Sequence, residues 1–333
     1  MQETKSFLLV LLFAGVAGVL VAAWGGGLSG QVSGLAVEGE VSAQLPLAAE
    51  SDRPFPPEKT SNFSELVLIA RSALVRDRYS GLVLYEKDPE AVLPIASLTK
   101  LMTAVVVHKH LSPQEILKIT PLDVKTELYR AGLVPGERIR VAELLEAMLI
   151  ASANDATLAL ARHLGGTVEG FVALMNQEAA ALGMTRTAFT NPVGFDDPGH
   201  HSTAADLGLL VKEFLSHPDL LGIASTKETI IRSVDSRYSH KLATTNKLLL
   251  KYDEVRGLKT GYTAEAKGNL IILVDVTAEA SEGVAEYYSI ILGSNDREAE
   301  TEQIMSWVRD NFQWTPLEIS PLAGKTGEHD SQY

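Results

Sequence analysis

Apolar side chains recur at three- and four-residue spacing in five stretches of the chain, and each predicts an amphipathic helix. Leu101, Met102, Val105 and Val106 mark the buried side of a helix that starts at Ser97, which reads as its N-cap, and runs to about His110. Val141 to Leu164 is strongly helical but is interrupted by Ser152-Ala153-Asn154. Serine and asparagine compete for backbone hydrogen bonds and favour a turn there. Phe171 to Leu182 ends at Gly183, and Ala204 to Leu215 ends before His217-Pro218. Glu298 to Phe312 closes the folded region, with Ile304, Met305, Val308 and Phe312 on one face.

The period changes elsewhere. Ala73 to Asp88 reads as two strands, of which Leu82 to Tyr85 is the clearest, stopped by Lys87-Asp88-Pro89. Val255 to Thr263 and Leu270 to Val276 read as paired strands joined by Ala264 to Asn269. The β-branched run Ile271-Ile272-Leu273-Val274 suggests a central strand, and Tyr287 to Leu292 another. Helices and strands together predict an α/β (α+β) architecture.

The N-terminus has a different pattern. Phe7 to Ala23 is an unbroken run of 17 apolar or small residues behind Lys5, with Glu3 diluting the positive end. As a helix it would span about 25 Å, against a hydrocarbon core of about 30 Å. Val21-Ala22-Ala23 resembles a small-x-small cleavage site. A cleaved signal peptide and a retained membrane anchor both fit, and either would export the rest of the chain. A buried core helix fits less well, because Trp24 to Pro57, rich in Gly, Ser, Ala and Pro, reads as an extended linker. The expected layout is a targeting segment over 1–24, a linker over 25–60, a catalytic domain over 61–315 and a polar tail over 316–333.

Composition narrows the chemistry. Net charge is −13 over 333 residues, which argues against a nucleic-acid partner. There are no cysteines, so disulfides, a thiol nucleophile and thiolate metal sites are excluded. His108 and His110 are two apart and would point to different helix faces, and no His-Glu-x-x-His occurs, so neither a metal nor another cofactor is expected.

The stretch Pro94-Ile95-Ala96-Ser97-Leu98-Thr99-Lys100 carries the candidate chemistry. Positions i and i+3 share a helix face, so Lys100 can take the Ser97 proton if the site lowers its pKa. Such a pair is common by chance. Its weight comes from two later segments, Ser152-Ala153-Asn154 and Lys259-Thr260-Gly261. The second Lys-Thr-Gly, at Lys325-Thr326-Gly327, lacks the apolar strand that would hold a catalytic lysine rigid.

S-x-x-K, S-x-N and K-T-G in this order form a pattern found in penicillin-binding proteins and class A β-lactamases. The chain resembles the D-alanyl-D-alanine carboxypeptidases, low-molecular-mass penicillin-binding proteins, over roughly Ser64 to Trp314. Gly132 to Leu145, Met175-Asn176, Leu182 to Met184, Phe189 to Gly194, His201 to Asp206 and Thr245 to Leu249 share in the likeness.

The resemblance implies a β-lactamase/transpeptidase-like fold, a mostly antiparallel sheet flanked by helices with an inserted helical region. It implies an exported enzyme of the cell envelope that acts on peptidoglycan stem peptides ending in D-Ala-D-Ala and is acylated by β-lactams. Ser97 would be the nucleophile, Lys100 its general base, and Ser152 the relay to the leaving amine. Asn154, Lys259, Thr260 and Gly261 would bind substrate, with Gly261 letting the substrate backbone lie close. The backbone N–H groups of Ser97 and Tyr262 would form the oxyanion hole. The two lysines would depress one another's protonation. Many relatives carry a further β domain and a C-terminal amphipathic helix, for which this sequence shows no counterpart, so any membrane contact is expected through Phe7 to Ala23. Three alternatives accompany this reading: an endopeptidase cutting cross-links, a β-lactamase, for which no water-activating carboxylate is evident, and a non-catalytic wall-binding scaffold.

Overall fold

The computed structural model describes residues 56–276 and 285–314. The apolar run Phe7 to Ala23, most of the linker and the tail with its second Lys-Thr-Gly lie outside the described residues. In chain order the strands are β1 (Glu58–Lys59), β2 (Ser72–Asp77), β3 (Val83–Lys87), β4 (Ile116–Lys118), β5 (Arg138–Arg140), β6 (Glu228–Arg232), β7 (Ser239–Ala243), β8 (Val255–Thr263), β9 (Lys267–Val276), β10 (Ala285–Ser294) and β11 (Phe312–Gln313). The helices are α1 (Thr99–His110), α2 (Val141–Ile150), α3 (Asn154–Gly165), α4 (Val168–Ala181), α5 (Ala204–Leu215), α6 (Pro218–Ala224), α7 (Lys247–Lys251) and α8 (Arg297–Asn311).

Five strands form the central sheet in the order β3-β2-β10-β9-β8, antiparallel throughout. Side chains alternate across a strand, so each face of this sheet carries its own core. Ile271 and Leu273 of β9, Tyr288 and Ile290 of β10 and Leu74 of β2 pack against the helices inserted between β3 and β8. Leu270, Ile272 and Val274, with Tyr287 and Ile291, pack against Ile304, Met305, Trp307 and Val308 of α8. The continuous apolar run in β9 thus reflects burial on both faces. The resulting architecture is the expected one, an antiparallel sheet between helical layers.

Several boundaries differ from the expectation. β9 begins at Lys267, three residues early, because Lys267 takes a positive φ of 59° and pairs directly with Thr263. The short pieces β4, β5, β6, β7, α6 and α7 carry too few residues to show a period. Ser97 does not cap a helix. It is the middle residue of a 3-10 turn, Ala96–Leu98, and α1 starts at Thr99 behind Leu98 with no side-chain cap. Ala96 enters this turn with φ 49°, a strained value for a residue with a side chain.

Two features of the fold place the motifs. β8 is an edge strand of the main sheet, so Lys259-Thr260-Gly261 lies on a border open to an incoming chain. The 3-10 turn lies against this border, and a methyl group on Gly261 would stand 3.0 Å from the Ile95 carbonyl oxygen and 3.1 Å from the Ser97 nitrogen.

Candidate active site

Lys100 occupies the first turn of α1 and is completely buried. Its Nζ lies 3.0 Å from Ser97 Oγ and donates to the Val193 carbonyl at 2.7 Å. Burial, and secondarily the charge of Lys259, hold its pKa well below the ordinary lysine range. Among the described residues no carboxylate is a hydrogen-bond partner of Lys100, so little opposes its deprotonation. The hydroxyl it faces belongs to a serine that is only partly buried, and the Ser97 Oγ also lies 3.5 Å from the Val193 carbonyl. An uncharged amine next to a reachable hydroxyl is the geometry a general base requires.

The Val193 carbonyl is presented by the segment Phe189 to Gly194. Thr103 of α1 donates to the Pro192 carbonyl at 2.8 Å. The Asn191 side-chain oxygen accepts from the backbone N–H groups of Val193, Gly194 and Phe195. Asn176 of α4 brackets Phe189, donating to its carbonyl and accepting from its N–H. His200 completes the clamp. Its Nδ1 accepts from the Thr190 N–H at 3.1 Å, so Nε2 carries the proton toward Thr99 Oγ1 at 2.7 Å, and Thr99 donates onward to the Ala96 carbonyl. The chain from Thr190 to Ala96 therefore requires a neutral imidazole. Burial lowers the His200 pKa to about 4, although Asp197 nearby opposes this.

Lys259 is likewise buried, with its Nζ 3.2 Å from the Thr260 carbonyl. Burial first, and then the charge of Arg297, lower its pKa to about 7. The Lys259 charge weighs on Lys100, while Lys100, already uncharged where Lys259 titrates, leaves Arg297 as the cation that bears on Lys259. Arg297, from the first turn of α8, donates to the Gly261 carbonyl at 2.6 Å and so ties the motif strand to the helix behind it. Thr260 Oγ1 is 2.6 Å from Thr245 Oγ1, and the Thr245 N–H donates to the Ile150 carbonyl at the end of α2. This link runs from the β8 border to the turn that carries Ser152.

Ser152 lies between α2 and α3, is 4% exposed, and has φ 58°. A left-handed, buried, non-glycine residue in a functional motif is a place where backbone strain is held by its surroundings. Asn154 follows at the start of α3. Its side-chain nitrogen donates to the Glu127 and Leu128 carbonyls, both at 3.1 Å, and its backbone N–H to the Tyr129 carbonyl at 2.7 Å. Asp155 continues the same work, its carboxylate accepting from the N–H groups of Ala131, Gly132 and Leu133. The second motif therefore fixes the 127–133 loop. The space beside Gly261 is likewise filled by the turn of Ser97, so its missing side chain first serves strand-to-turn contact. Tyr262, next along β8, is 60% exposed.

Val193, Thr103, Thr245, Arg297 and His200 carry no role that can be read from the sequence. The Phe189–Gly194 and Thr245–Leu249 segments attract notice there only as parts of a resemblance. A backbone carbonyl acting as partner to a lysine leaves no residue-type signal. No cluster of three or more metal-ligating side chains occurs among the described residues.

A family model described as D-alanyl-D-alanine carboxypeptidase matches residues 59–295. The D-alanyl-D-alanine carboxypeptidase DacF of Bacillus subtilis is 34% identical over 76% of this chain, and DacC of Escherichia coli is 34% identical over 72%. The matched regions span 66% and 60% of those relatives' own lengths. A D-alanyl-D-alanine endopeptidase of Pseudomonas aeruginosa is 33% identical over 66% of this chain and 71% of its own. Among solved structures, a Streptomyces DD-transpeptidase superposes with a TM-score of 0.68 at 25% identity, covering 73% of this chain and 98% of its own. The fold of a Francisella tularensis D-alanyl-D-alanine carboxypeptidase also matches, with a TM-score of 0.68 at 24% identity over 74% of this chain and 71% of its own. By the extent of the family match and the shared fold, this chain belongs to the D-alanyl-D-alanine carboxypeptidase family.

Proposed function

We propose that the protein is a serine D-alanyl-D-alanine carboxypeptidase that removes the terminal D-alanine from peptidoglycan stem peptides and is acylated by β-lactams. The observation that carries this reading is the buried Lys100 amine, 3.0 Å from Ser97 Oγ and without an ion pair among the described residues. Serine is a weak nucleophile until a base takes its proton, and an amine held neutral by burial is such a base.

The roles that the family resemblance implies for these residues give the following reaction. The substrate lies along the free border of β8, its terminal carboxylate held by the Thr260 hydroxyl in the positive potential of Lys259 and Arg297. Ser97 Oγ attacks the carbonyl carbon of the penultimate D-alanine while its proton passes to Lys100 Nζ. The backbone N–H groups of Ser97 and Tyr262 stabilise the oxyanion. The C–N bond then breaks. The leaving amine takes up the proton through Ser152, and free D-alanine departs from an ester on Ser97. Water attacks this ester and gives a proton to Lys100, which passes it to Ser97 Oγ as the ester C–O bond breaks and the shortened peptide leaves. Asn154 orients the substrate amide once the peptide competes for its side chain. The steps call on no metal or other cofactor.

The substrate class implies work outside the cytoplasmic membrane. No described helix is long and apolar enough to cross a membrane. Export and any membrane hold are assigned to Phe7 to Ala23. The endopeptidase relative gives a second reading, in which the leaving amine belongs to a neighbouring stem. A β-lactamase is disfavoured, because the family model and the curated relatives are D-alanyl-D-alanine carboxypeptidases.

Intact mass after treatment with benzylpenicillin, followed by peptide mapping, tests the assignment. A stoichiometric adduct on Ser97 is expected, and an unmodified protein would leave only a wall-binding scaffold. Muropeptide digests then separate the activities. Loss of a single alanine marks the carboxypeptidase, and loss of cross-linked dimers marks the endopeptidase.

A further inference from the structure

Arg76 is the one arginine of β2, on the sheet face that packs against the inserted helices. It stands directly across from Tyr288 of β10. Its neighbour Arg78 is paired with Glu286. Arg76 has no carboxylate partner among the described residues, and its Nε is buried without an acceptor. A guanidinium drawn into a protein without a counter-charge is unfavourable, so its retention needs a reason.

The helix above it makes room for the guanidinium. Gly208 lies in the middle of α5, where glycine is less favourable than alanine. A methyl group there would stand 3.2 Å from Leu74 Cδ2, 3.5 Å from the Tyr288 hydroxyl and 3.9 Å from Arg76 Nη1. The glycine leaves open a cavity of about 460 Å³ whose lining includes Arg76, Arg78, Lys212, Ser80, Ser216 and Tyr288.

The donors facing this space can be sorted. Ser80 already gives its hydroxyl proton to Asp77, and Ser216 gives its own to the Glu213 carbonyl. The Asp77 carboxylate is occupied by Ser80, Tyr79 and Trp314. Glu286 is occupied by Arg78, Tyr79 and Arg256. Lys212, exposed on α5, has no ion pair among the described residues. Two cations without carboxylate partners therefore meet at one cavity in a protein whose net charge is −13.

We propose that this cavity binds a small oxyanion, a phosphate or a carboxylate group, clamped between the Arg76 guanidinium and the Lys212 ammonium. The planar fork of arginine suits two oxygens of one anion, and the lysine supplies a second positive charge. The site is separate from the catalytic groups. Thr260 lies in the row Thr260–Leu270–Ile291–Ala73 across the sheet, whereas Arg76 is three strands over and three residues further along.

The test is calorimetric titration of the full-length protein with inorganic phosphate and, separately, with acetate, at ionic strength held constant by chloride. Saturable one-site binding is expected, at least about tenfold weaker in Arg76→Leu and weakened in Lys212→Ala. Preference for phosphate assigns the site to phosphate groups, and preference for acetate assigns it to carboxylates. Either preference supports the proposal. Acylation of Ser97 by penicillin at the wild-type rate shows that each variant is folded, and it reads the catalytic site independently. Absence of saturable binding to both anions, or equal binding by wild type and a folded Arg76→Leu, overturns the proposal.

Discussion

Gly194 faces Ala96 so closely that a single added carbon would stand 1.9 Å from the Ala96 carbonyl oxygen. The two residues belong to different segments, and both have positive φ, 90° and 49°. Their contact seats the loop that offers the Val193 carbonyl to Lys100 against the turn that carries Ser97. Gly194→Ala would force these segments apart and also strain the loop. We expect a loss of stability of about 1–3 kcal/mol and a fall in penicillin acylation rate of at least about 100-fold, since small displacements of a reacting pair are costly. Stopped-flow acylation and urea unfolding measure the two effects. An unchanged acylation rate would show that the Val193 loop does not position the lysine.

Lys100 is expected to act by losing its proton, and two substitutions separate that from its charge. Lys100→Ala removes the base, so acylation should vanish while the fold survives. Lys100→Arg keeps the positive charge but cannot deprotonate near neutral pH, so it should be equally inactive. Labelling of either variant at the normal rate would refute the assignment of Lys100 as the base.

The pairing of Ser97 with Lys100 is legible from spacing, because one helical turn brings i and i+3 together whatever the rest of the chain does. The cap at Ser97 misleads for the same local reason. Serine before a helix ordinarily caps it, and only the packing of the turn against Gly261 and Gly194 shows its hydroxyl facing Lys100 instead. The sheet is legible because Ile271 to Val274 is apolar on both faces. Asn154 reads from the sequence only as part of a turn, yet its side chain and that of Asp155 hold the 127–133 loop, whose backbone groups carry no residue code. Arg297 and Thr245 are invisible for a related reason, since their importance lies in long-range contacts to Gly261 and Thr260.

Lys259, lowered to about 7, gives the protein a pH limit on substrate capture. Below that value the ammonium attracts a terminal carboxylate, and above it the attraction fades. Acylation measured as kcat/KM should therefore rise with pH as Lys100 deprotonates and fall beyond about pH 7 as Lys259 does. A bound carboxylate favours the charged amine, so the falling limb of kcat should lie at higher pH than that of kcat/KM. In Lys259→Gln the falling limb should disappear together with much of the affinity. A falling limb that persists in the variant would assign it to another group.

His200 links catalytic geometry to acid stability. Its neutral ring is required by the Thr190 N–H on one nitrogen and by the route to Ala96 through Thr99 on the other. Its folded pKa of about 4 lies below the ordinary value of 6.5, so between these values the unfolded chain binds the extra proton. Stability from this group is complete above pH 6.5 and is lost as pH falls toward 4. The shift corresponds to about 3 kcal/mol. Urea midpoints should fall steeply across this window in the wild type and less so in His200→Asn, which has no ring to titrate. Acylation should fail over the same range, because protonation of Nδ1 releases Thr190 and with it the loop that presents Val193. Parallel slopes in the two proteins would move the acid sensitivity to other groups and leave His200 a purely structural residue.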